Sequence, residues 1–431
     1  MESAILAGTT PTLLSNLDFR LGSVATYITE RVSLSIPPAN GGPFGTANQF
    51  MRFTIADGSA LSFLDLSSIR LSFDLANKHA ADELHLLGDA NCLFQRARLL
   101  IKGVTVEDLI MYNRQVNMTR LLLPKRRNED NIFESPKDMI PGNSEQHYLI
   151  PLHFGYLSQS FMHYLAAGSL IVELQLANFL DVVRSPLAAA WEIQNPVILC
   201  DVVRCRPDFC DAYSRILLSG KAITMAFSSF QTMKFEIPPA VEQFSVSISR
   251  AFTRMKAIYL TFGGVPGNDG AADGPLGFVN AAAVTAGAKE VNTFFHPAKG
   301  DIDSDRGINA LEIHASLGTQ TYPIIPMKGS QEMYYHLRRT LMQTTAGDTS
   351  IESRAKYLNN QFITAIQLEK AKSGGGSIAS FSGESSMTGE VLRILVKNLP
   401  RTAADRPTAL YATIWHDSII NLRGDGVEVL I

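Results

Sequence analysis

The stretch NPVILCDVVRCRPDFCDAYSRILLSGK, residues 195–221, lies almost at the midpoint of the 431-residue chain. Its first part, Val197–Arg204, is rich in β-branched residues and is bounded by two prolines, which predicts a strand that ends where a proline withholds its N–H. A helix is predicted next, with Asp208 as its N-cap and Gly220 in the left-handed position after its last turn. The stretch therefore predicts a connector between two halves of the chain.

The two halves have the same order of predicted elements. In each half a strand is followed by a glycine turn, a second strand and a helix, and the turn glycines are Gly103 in the first half and Gly318 in the second. Apolar and polar residues alternate clearly from Ile69 to Leu75, which predicts a strand with one buried face. Many short strands separated by turn residues predict an all-β chain built from two tandem antiparallel sandwiches.

One amphipathic helix is predicted beside the glycine turn of each half. The first is predicted to end before Pro124 and to carry Glu107 and Asp108 at its N-terminal end, where the helix dipole favours negative charge. The second is predicted to begin with Ser330 as its cap. Too few helices lie between the strands for a parallel α/β design.

The composition indicates a globular protein with a large core, since 46% of the residues are hydrophobic and 18% are charged. At this length two domains are expected, and we divide the chain into an N-terminal arm (1–24), a first sandwich (25–207), a helical linker (208–221) and a second sandwich (222–431). The 38 basic and 41 acidic residues give a net charge of −3, which argues against a main affinity for nucleic acid phosphates. The N-terminal residues do not form a secretory signal and no apolar window is long enough for a membrane helix, so we expect a reducing compartment.

Known catalytic motifs are absent from the sequence. It contains no GxSxG nucleophile elbow, no phosphate-binding loop that ends in GK[ST], and no HExxH. His416 and Asp417 are adjacent, so their side chains would point apart on a strand, and we interpret them as structural. We therefore expect no enzymatic activity and assign no catalytic, cofactor-binding or metal-binding residue.

Three of the four cysteines, Cys200, Cys205 and Cys210, cluster in the connector and invite a metal-site interpretation. The odd spacing of Cys200 and Cys205 would send their side chains to opposite faces of a strand, and Cys210 falls in the predicted helix. Zinc would also need a fourth ligand nearby, and the sequence offers none. We interpret the three cysteines as small buried hydrophobic residues.

The segment DIDSDRGINALE, residues 301–312, resembles a calcium-binding loop in its spacing. Its aspartates alternate and Glu312 stands at the twelfth position. Arg306, however, stands where such a loop needs glycine, and strand-like sequence follows where a helix should begin. Calcium binding stays open, with a solvated acidic loop as the alternative.

Two short motifs have ordinary explanations. The glycosylation sequon Asn117–Thr119 falls inside a predicted helix and is interpreted as a coincidence. The basic cluster Lys125–Arg127 is followed directly by Glu129 and Asp130, which is typical of a mixed solvated loop rather than of a nucleic acid contact.

Five segments, taken in their order and spacing, resemble one protein family. They are FLDLSSIRLSFDL (63–75), LLIKGVTVEDLIMYNR (99–114), VILCDVVRCRPDFCDAYSRILLSGK (197–221), SLGTQTYPIIPMKGSQEMYYHLRRTL (316–341) and YATIWHDSIINLRGDGVEVLI (411–431). Together they resemble the double jelly-roll major capsid proteins of the Polinton-like virus, virophage and adintovirus group, which are related to the capsid proteins of nucleocytoplasmic large DNA viruses. The resemblance runs over nearly the whole chain.

This resemblance implies both a fold and a function. It implies that each sandwich is an eight-stranded jelly roll, that the two stand side by side, and that a homotrimer forms a pseudo-hexameric capsomer. Such capsomers tile the icosahedral shell of a double-stranded DNA virion beside penton and minor capsid proteins, with the N-terminal arm near the inner surface, where the genome or an internal membrane would lie. Assembly would take place in the cytoplasm or nucleus of the host cell. The family implies no catalytic residue, cofactor or small-molecule substrate.

Two other classes of function stay open at this point. A glycan-binding pair of β-sandwiches would share the strand pattern but should lack an obligate trimer. A jelly-roll hydrolase would need paired carboxylates converging in a cleft.

Overall fold

The computed structural model describes residues 27–431 except 58, 60, 87–88, 125–138, 160–161, 179–181, 184–189, 240, 264–293, 298–309, 342–348, 352, 360, 371–382, 387–389, 400–406 and 425. The predicted N-terminal arm, residues 1–24, lies outside the described residues.

Strands dominate the described part of the chain. They are β1 (Ile28–Ile36), β2 (Phe50–Ile55), β3 (Ser62–Asn77), β4 (Phe94–Ile101), β5 (Val104–Ile110), β6 (Glu145–Pro151), β7 (Met162–Tyr164), β8 (Leu170–Leu176), β9 (Trp191–Cys205), β10 (Ile223–Glu236), β11 (Phe244–Ile248), β12 (Met255–Gly263), β13 (Glu312–Leu317), β14 (Gln320–Lys328), β15 (Thr364–Gln367), β16 (Leu392–Lys397), β17 (Ala409–Leu422) and β18 (Val427–Leu430). The helices are α1 (Tyr112–Leu122), α2 (Pro207–Leu218), α3 (Gly329–Thr340) and α4 (Arg354–Asn359), with 3-10 turns at Ala90–Leu93 and Leu165–Ala167.

The strands form two sandwiches with the same strand order. In the first, the sheet β1-β9-β3-β6, with the short β7 also paired to β3, faces the sheet β2-β8-β4-β5. In the second, the sheet β10-β17-β12-β15, with β18 paired to β17, faces the sheet β11-β16-β13-β14. Eight antiparallel strands in this crossed order make a jelly roll. The predicted fold class, two tandem eight-stranded jelly rolls with a few short helices, is therefore confirmed.

Each jelly roll buries its own apolar core between its two sheets. In β3 the alternating residues Ile69, Leu71, Phe73 and Leu75 all point into the first core, as their period of two predicts. The second core lies between β12 and β17 on one side and β13 and β16 on the other. The separation is incomplete, because apolar residues from the ends of β10 and β17 also belong to the first core: Phe227, Ile420 and Leu422.

The last strand of the first jelly roll is longer than predicted. β9 begins at Trp191 rather than at Val197 and runs through Pro196. A bulge makes this possible: Val197 lies opposite Ser72, whereas Asp74 lies opposite Gln194, and Asn195 takes a left-handed backbone with φ 49°. A proline is tolerated in a strand at such a bulge because its missing N–H is not needed by the ladder.

The N-cap of the connecting helix α2 lies two residues earlier than predicted. Arg206 occupies the N-cap position without a side-chain cap, and Pro207 is the first helical residue, so the prediction of Asp208 as the cap is wrong. Proline suits the first helical position because its fixed φ is already helical and no N–H partner is required there. Gly220 has φ 75°, which confirms the left-handed end of this segment.

The starts of the other two long helices also differ from the prediction. Glu107 and Asp108 belong to β5, not to α1, because the β4–β5 hairpin continues through them: Asp108 lies opposite Arg98 and forms a two-pronged ion pair with Arg96 at 2.6 and 2.7 Å. In α3, Lys328 occupies the N-cap position and Ser330 is the second helical residue, so Ser330 is not the cap.

Candidate functional site

A third buried apolar cluster, outside the two cores, joins the jelly rolls to each other. Helix α1 of the first jelly roll lies against the outer face of the sheet β10-β17-β12-β15, the face that points away from the second core. There Met118 and Leu122 form a third apolar cluster with Tyr259 of β12 and with Ile363 and Ala365 at β15. Helix α3 borders the same cluster through Leu337. The amphipathic helix α1 therefore packs against the core of its own jelly roll and against the second jelly roll.

Arg114 inserts a charged group into this interface. It lies on the same stripe of α1 as Met118, one turn earlier, and its residue is 1% exposed. Its guanidinium donates to Thr261 Oγ1 at 3.0 Å and to the Phe262 carbonyl oxygen at 3.1 Å, and it stacks on the Tyr411 ring at 3.8 Å from the centroid. A buried guanidinium needs such acceptors and aromatic faces to offset its desolvation. Arg114 therefore fixes the position of α1 on the second jelly roll.

Glu107 makes a second polar contact between the jelly rolls. Its carboxylate accepts hydrogen bonds from the backbone N–H groups of Gly155 at 3.0 Å and Tyr156 at 2.9 Å, and from the hydroxyl of Ser229 in β10. Burial raises the pKa of Glu107 to about 7, and the three hydrogen bonds oppose that rise. The site is a buried acid shared by both jelly rolls.

Backbones of the two jelly rolls touch beside this acid. A Cβ placed on Gly155 would collide with the carbonyl oxygen of Ser228 in β10. Only glycine lets the loop approach this closely. The distance between the two jelly rolls is therefore set by direct backbone contact as well as by side chains.

The cysteines of the connector are buried and form no disulfide. Cys200, Cys205 and Cys210 all belong to the first core, and burial raises the pKa of each thiol above its usual value. Among the residues described, no group of three or more metal-ligating side chains comes together.

His416 and Asp417 point apart on β17. The His416 ring lies 5.0 Å from the Phe252 ring, and burial lowers its pKa to about 4. Asp417 instead forms an ion pair with Lys256 at 2.7 Å and accepts from the Ser228 hydroxyl at 2.8 Å. Each residue has its own structural partners.

Glu312, the twelfth residue of the calcium-like segment, lies at the start of β13. Its carboxylate is 3.0 Å from the Lys397 ammonium and 3.8 Å from that of Lys328. The aspartates of the segment, Asp301–Asp305, lie outside the described residues, as does the basic cluster Lys125–Arg127. Asn117 of the sequon is buried in α1.

A serine, a histidine and an aspartate also meet on the outer face of the first jelly roll, which the sequence search did not find. His147 of β6 lies 2.7 Å from Asp74 and 3.3 Å from the Ser72 hydroxyl, both on β3. This order resembles a hydrolytic triad, but acyl transfer also needs N–H donors aimed at an oxyanion. Strand β3 lies between β9 and β6, so its backbone N–H groups are engaged in the two ladders. The cluster is better described as a polar patch on an open sheet face.

Within the described ranges, no helix has the length and apolar character needed to cross a membrane.

Comparisons with known proteins rest on structure alone. Neither the protein-family models nor the curated proteins give a match to this chain. Among solved structures, a PBCV-1 protein fitted into a cryo-EM reconstruction of the virophage Sputnik aligns with a TM-score of 0.65 and 10% identity, over 96% of this chain and 99% of the other. The Faustovirus major capsid protein aligns with a TM-score of 0.59 and 9% identity, over 95% and 94%. The Sputnik virophage structure aligns with a TM-score of 0.58 and 11% identity, over 98% and 93%.

These alignments cover both jelly rolls and the connector in one superposition. Because only about one residue in ten is identical, the alignments show the fold and not the role of any individual side chain. From its first described strand to its last, the chain has the double jelly-roll fold of viral major capsid proteins.

Proposed function

We propose that this chain is a major capsid protein of a double-stranded DNA virus. The observation that carries the proposal is the end-to-end match to double jelly-roll capsid proteins, 96% of this chain against 99% of the other at a TM-score of 0.65. The buried contact between the two jelly rolls adds support, because a fixed pair of similar modules is what a shell subunit with repeated contacts requires.

Three copies of the chain form the proposed building block. A homotrimer would present six similar jelly rolls and so a pseudo-hexameric outline that can tile an icosahedral shell. Its neighbours in the virion would be other capsomers, penton and minor capsid proteins. We keep the division into an arm (1–24), a first jelly roll (25–207), a linker (208–221) and a second jelly roll (222–431) as part of this proposal.

The proposed role is structural and involves no catalysis. The solved structures that align with the chain favour a non-enzyme, and the hydrolase alternative would need a cleft with converging carboxylates. The glycan-binding alternative receives no support from those alignments.

Light scattering after size exclusion tests the proposal directly. One chain has a mass of 47.2 kDa, so the proposed trimer is expected at three times that value. Negative-stain microscopy of the same fraction should give triangular or hexagonal particles. A species with the mass of a single chain at every salt concentration would overturn the proposal.

A further inference from the structure

An apolar cavity of about 280 Å³ lies where the two jelly rolls meet the connecting helix. Phe63 of β3 and Cys205 of β9 line it from the first jelly roll, and Leu422 of β17 lines it from the second. Helix α2 adds the rings of Phe209 and Tyr213. Every side chain that lines the cavity is uncharged. The cavity therefore suits an apolar occupant, because a charged group would lose its hydration there without gaining a partner.

The mouth of this cavity is apolar as well. Tyr27, Ile28 and Met162 belong to the lining, yet they are 42%, 41% and 42% exposed. The Tyr27 ring lies flat on the Phe209 ring, with 4.4 Å between the centroids and 14° between the planes. Exposed apolar side chains that border a cavity are typical of a surface that receives another apolar group.

A short segment of the N-terminal arm has the matching pattern. Residues 17–21, LDFRL, alternate apolar and charged residues. In an extended chain this alternation puts the three apolar side chains, with Phe19 at their centre, on one face and the two charged side chains on the other. The segment therefore offers one apolar edge for burial and one charged edge for solvent.

The arm joins the described structure at the mouth of the cavity. Tyr27 is the first described residue, and Phe19 precedes it by eight positions. Eight residues span at most about 29 Å when fully extended, which is ample for the chain to double back. Gly22 and Ser23, residue types that favour turns, stand between the two.

We propose that residues 17–21 fold back onto their own chain and place Phe19 in this cavity, with Leu21 at its mouth. A cavity of about 150 Å³ in a protein core holds one benzene molecule. The larger volume here accommodates a phenyl ring and part of an aliphatic side chain. The chain's own arm is favoured over that of a second copy, because a short tether gives an effective concentration of about 1 mM.

This docking goes beyond the proposed function, since it takes place within one chain and does not require a trimer. Its consequence is mechanical. The cavity wall includes Phe63 of the first jelly roll, Phe209 of α2 and Leu422 of the second jelly roll. An arm seated in the cavity therefore holds the connecting helix against both jelly rolls.

A disulfide between the arm and the cavity tests the docking in the full-length chain. Phe19→Cys places a thiol beside Cys205, which is a free cysteine in the cavity wall. Burial raises the pKa of the Cys205 thiol, so oxidation with oxidised glutathione is carried out at alkaline pH. We expect a bond within one chain, formed about 10-fold faster than in the matched control Arg20→Cys, whose thiol lies on the charged edge of the segment.

Peptide mass spectrometry identifies the bonded pair, and non-reducing electrophoresis shows whether one or two chains are joined. Phe19→Cys combined with Cys205→Ser should lose the bond. Absence of the bond, or equal rates from Phe19→Cys and Arg20→Cys, would overturn the docking. A bond between two chains would place the arm on a second copy and would overturn docking within the chain.

Dye binding gives a second measurement that keeps all native cysteines. Phe19→Ala empties the cavity, so this variant is expected to bind anilinonaphthalene sulfonate about 10-fold more tightly than the wild type does. Arg20→Ala should bind the dye as the wild type does. Equal binding by the wild type and by Phe19→Ala would mean that the cavity is open in the wild type, and the docking would be wrong.

Discussion

The two jelly rolls share their strand order but differ in what covers their outer sheet faces. The face of β10-β17-β12-β15 is buried beneath α1, with Tyr259 and Ala365 in an apolar cluster. The face of β1-β9-β3-β6 carries Asp74 and an exposed His147. In both jelly rolls the same strand order buries apolar residues between the two sheets. The comparison teaches that the outer sheet faces differ: one forms a permanent contact within the chain, and the other stays open to solvent.

The largest expected effect compares a buried residue of α1, Arg114, with an exposed residue of α3, Gln331. Replacing Arg114 by alanine removes a buried guanidinium, leaves Thr261 and the Phe262 carbonyl without their donor, and opens a gap over Tyr411. We expect a loss of about 3 to 5 kcal/mol in the free energy of unfolding. Gln331→Ala, at the exposed third residue of α3, should change the free energy of unfolding by less than about 0.5 kcal/mol. Chemical denaturation of both variants is the measurement, and equal losses would contradict the difference in burial between the two residues.

The second effect concerns the acid shared by the jelly rolls. The pKa of Glu107 is about 7 in the folded protein, above its ordinary value of 4.5, so between these values the folded chain holds a proton that the unfolded chain has lost. Stability therefore falls as the pH rises from about 4.5 to about 7, by on the order of 3 kcal/mol from this group. Glu107→Gln should remove that slope. Unfolding measured across this pH range would contradict the assignment if both proteins gave the same slope.

The third effect concerns the backbone contact between the jelly rolls. Gly155→Ala would place a methyl group against the Ser228 carbonyl oxygen, so the two backbones must separate. We expect a loss of about 2 kcal/mol in the free energy of unfolding. Gly41→Ala is the control, because nothing lies within 4 Å of its added methyl group. Melting temperatures that fall equally in both variants would argue against a close contact at this point.

The smallest effect concerns Gly220, which follows the connecting helix α2. Gly220 has φ 75°, so Gly220→Val is expected to cost on the order of 1 kcal/mol. Gly220→Asn should cost less, since asparagine tolerates the left-handed region better. Thermal unfolding that is unchanged in the valine variant would sink the assignment of this residue as the end of the connecting helix.

Much of the fold could be predicted from the sequence because its signals are local. The alternation from Ile69 to Leu75 and the turns at Gly103 and Gly318 depend only on neighbouring residues. The errors arose where two local patterns compete: Glu107 and Asp108 precede a helix and suit its first turn, yet pairing with β4 takes them into a strand. Tertiary pairing overrides helix preference in such cases.

The interface between the jelly rolls could not be predicted in this way. Arg114 and Glu107 look like surface residues in the sequence, because their partners lie far along the chain in the other jelly roll: Thr261 for the first and Ser229 for the second. Their roles depend on burial, which a single sequence does not report for charged residues. The serine, histidine and aspartate patch was missed for the same reason, since His147 comes from a different strand.

In the proposed trimer, the close approach of Gly155 to β10 would affect how accurately the ring of chains closes. In a ring of chains, each chain contributes the angle between its two jelly rolls. A small error in that angle is therefore repeated in every copy, and the errors add up around the ring. If the two jelly rolls could move relative to each other, the last chain would not meet the first, and the chains would form an open helix instead of a closed ring. The contact between the backbones at Gly155 and Ser228 limits changes in that angle. A single glycine would therefore help to determine whether the ring closes.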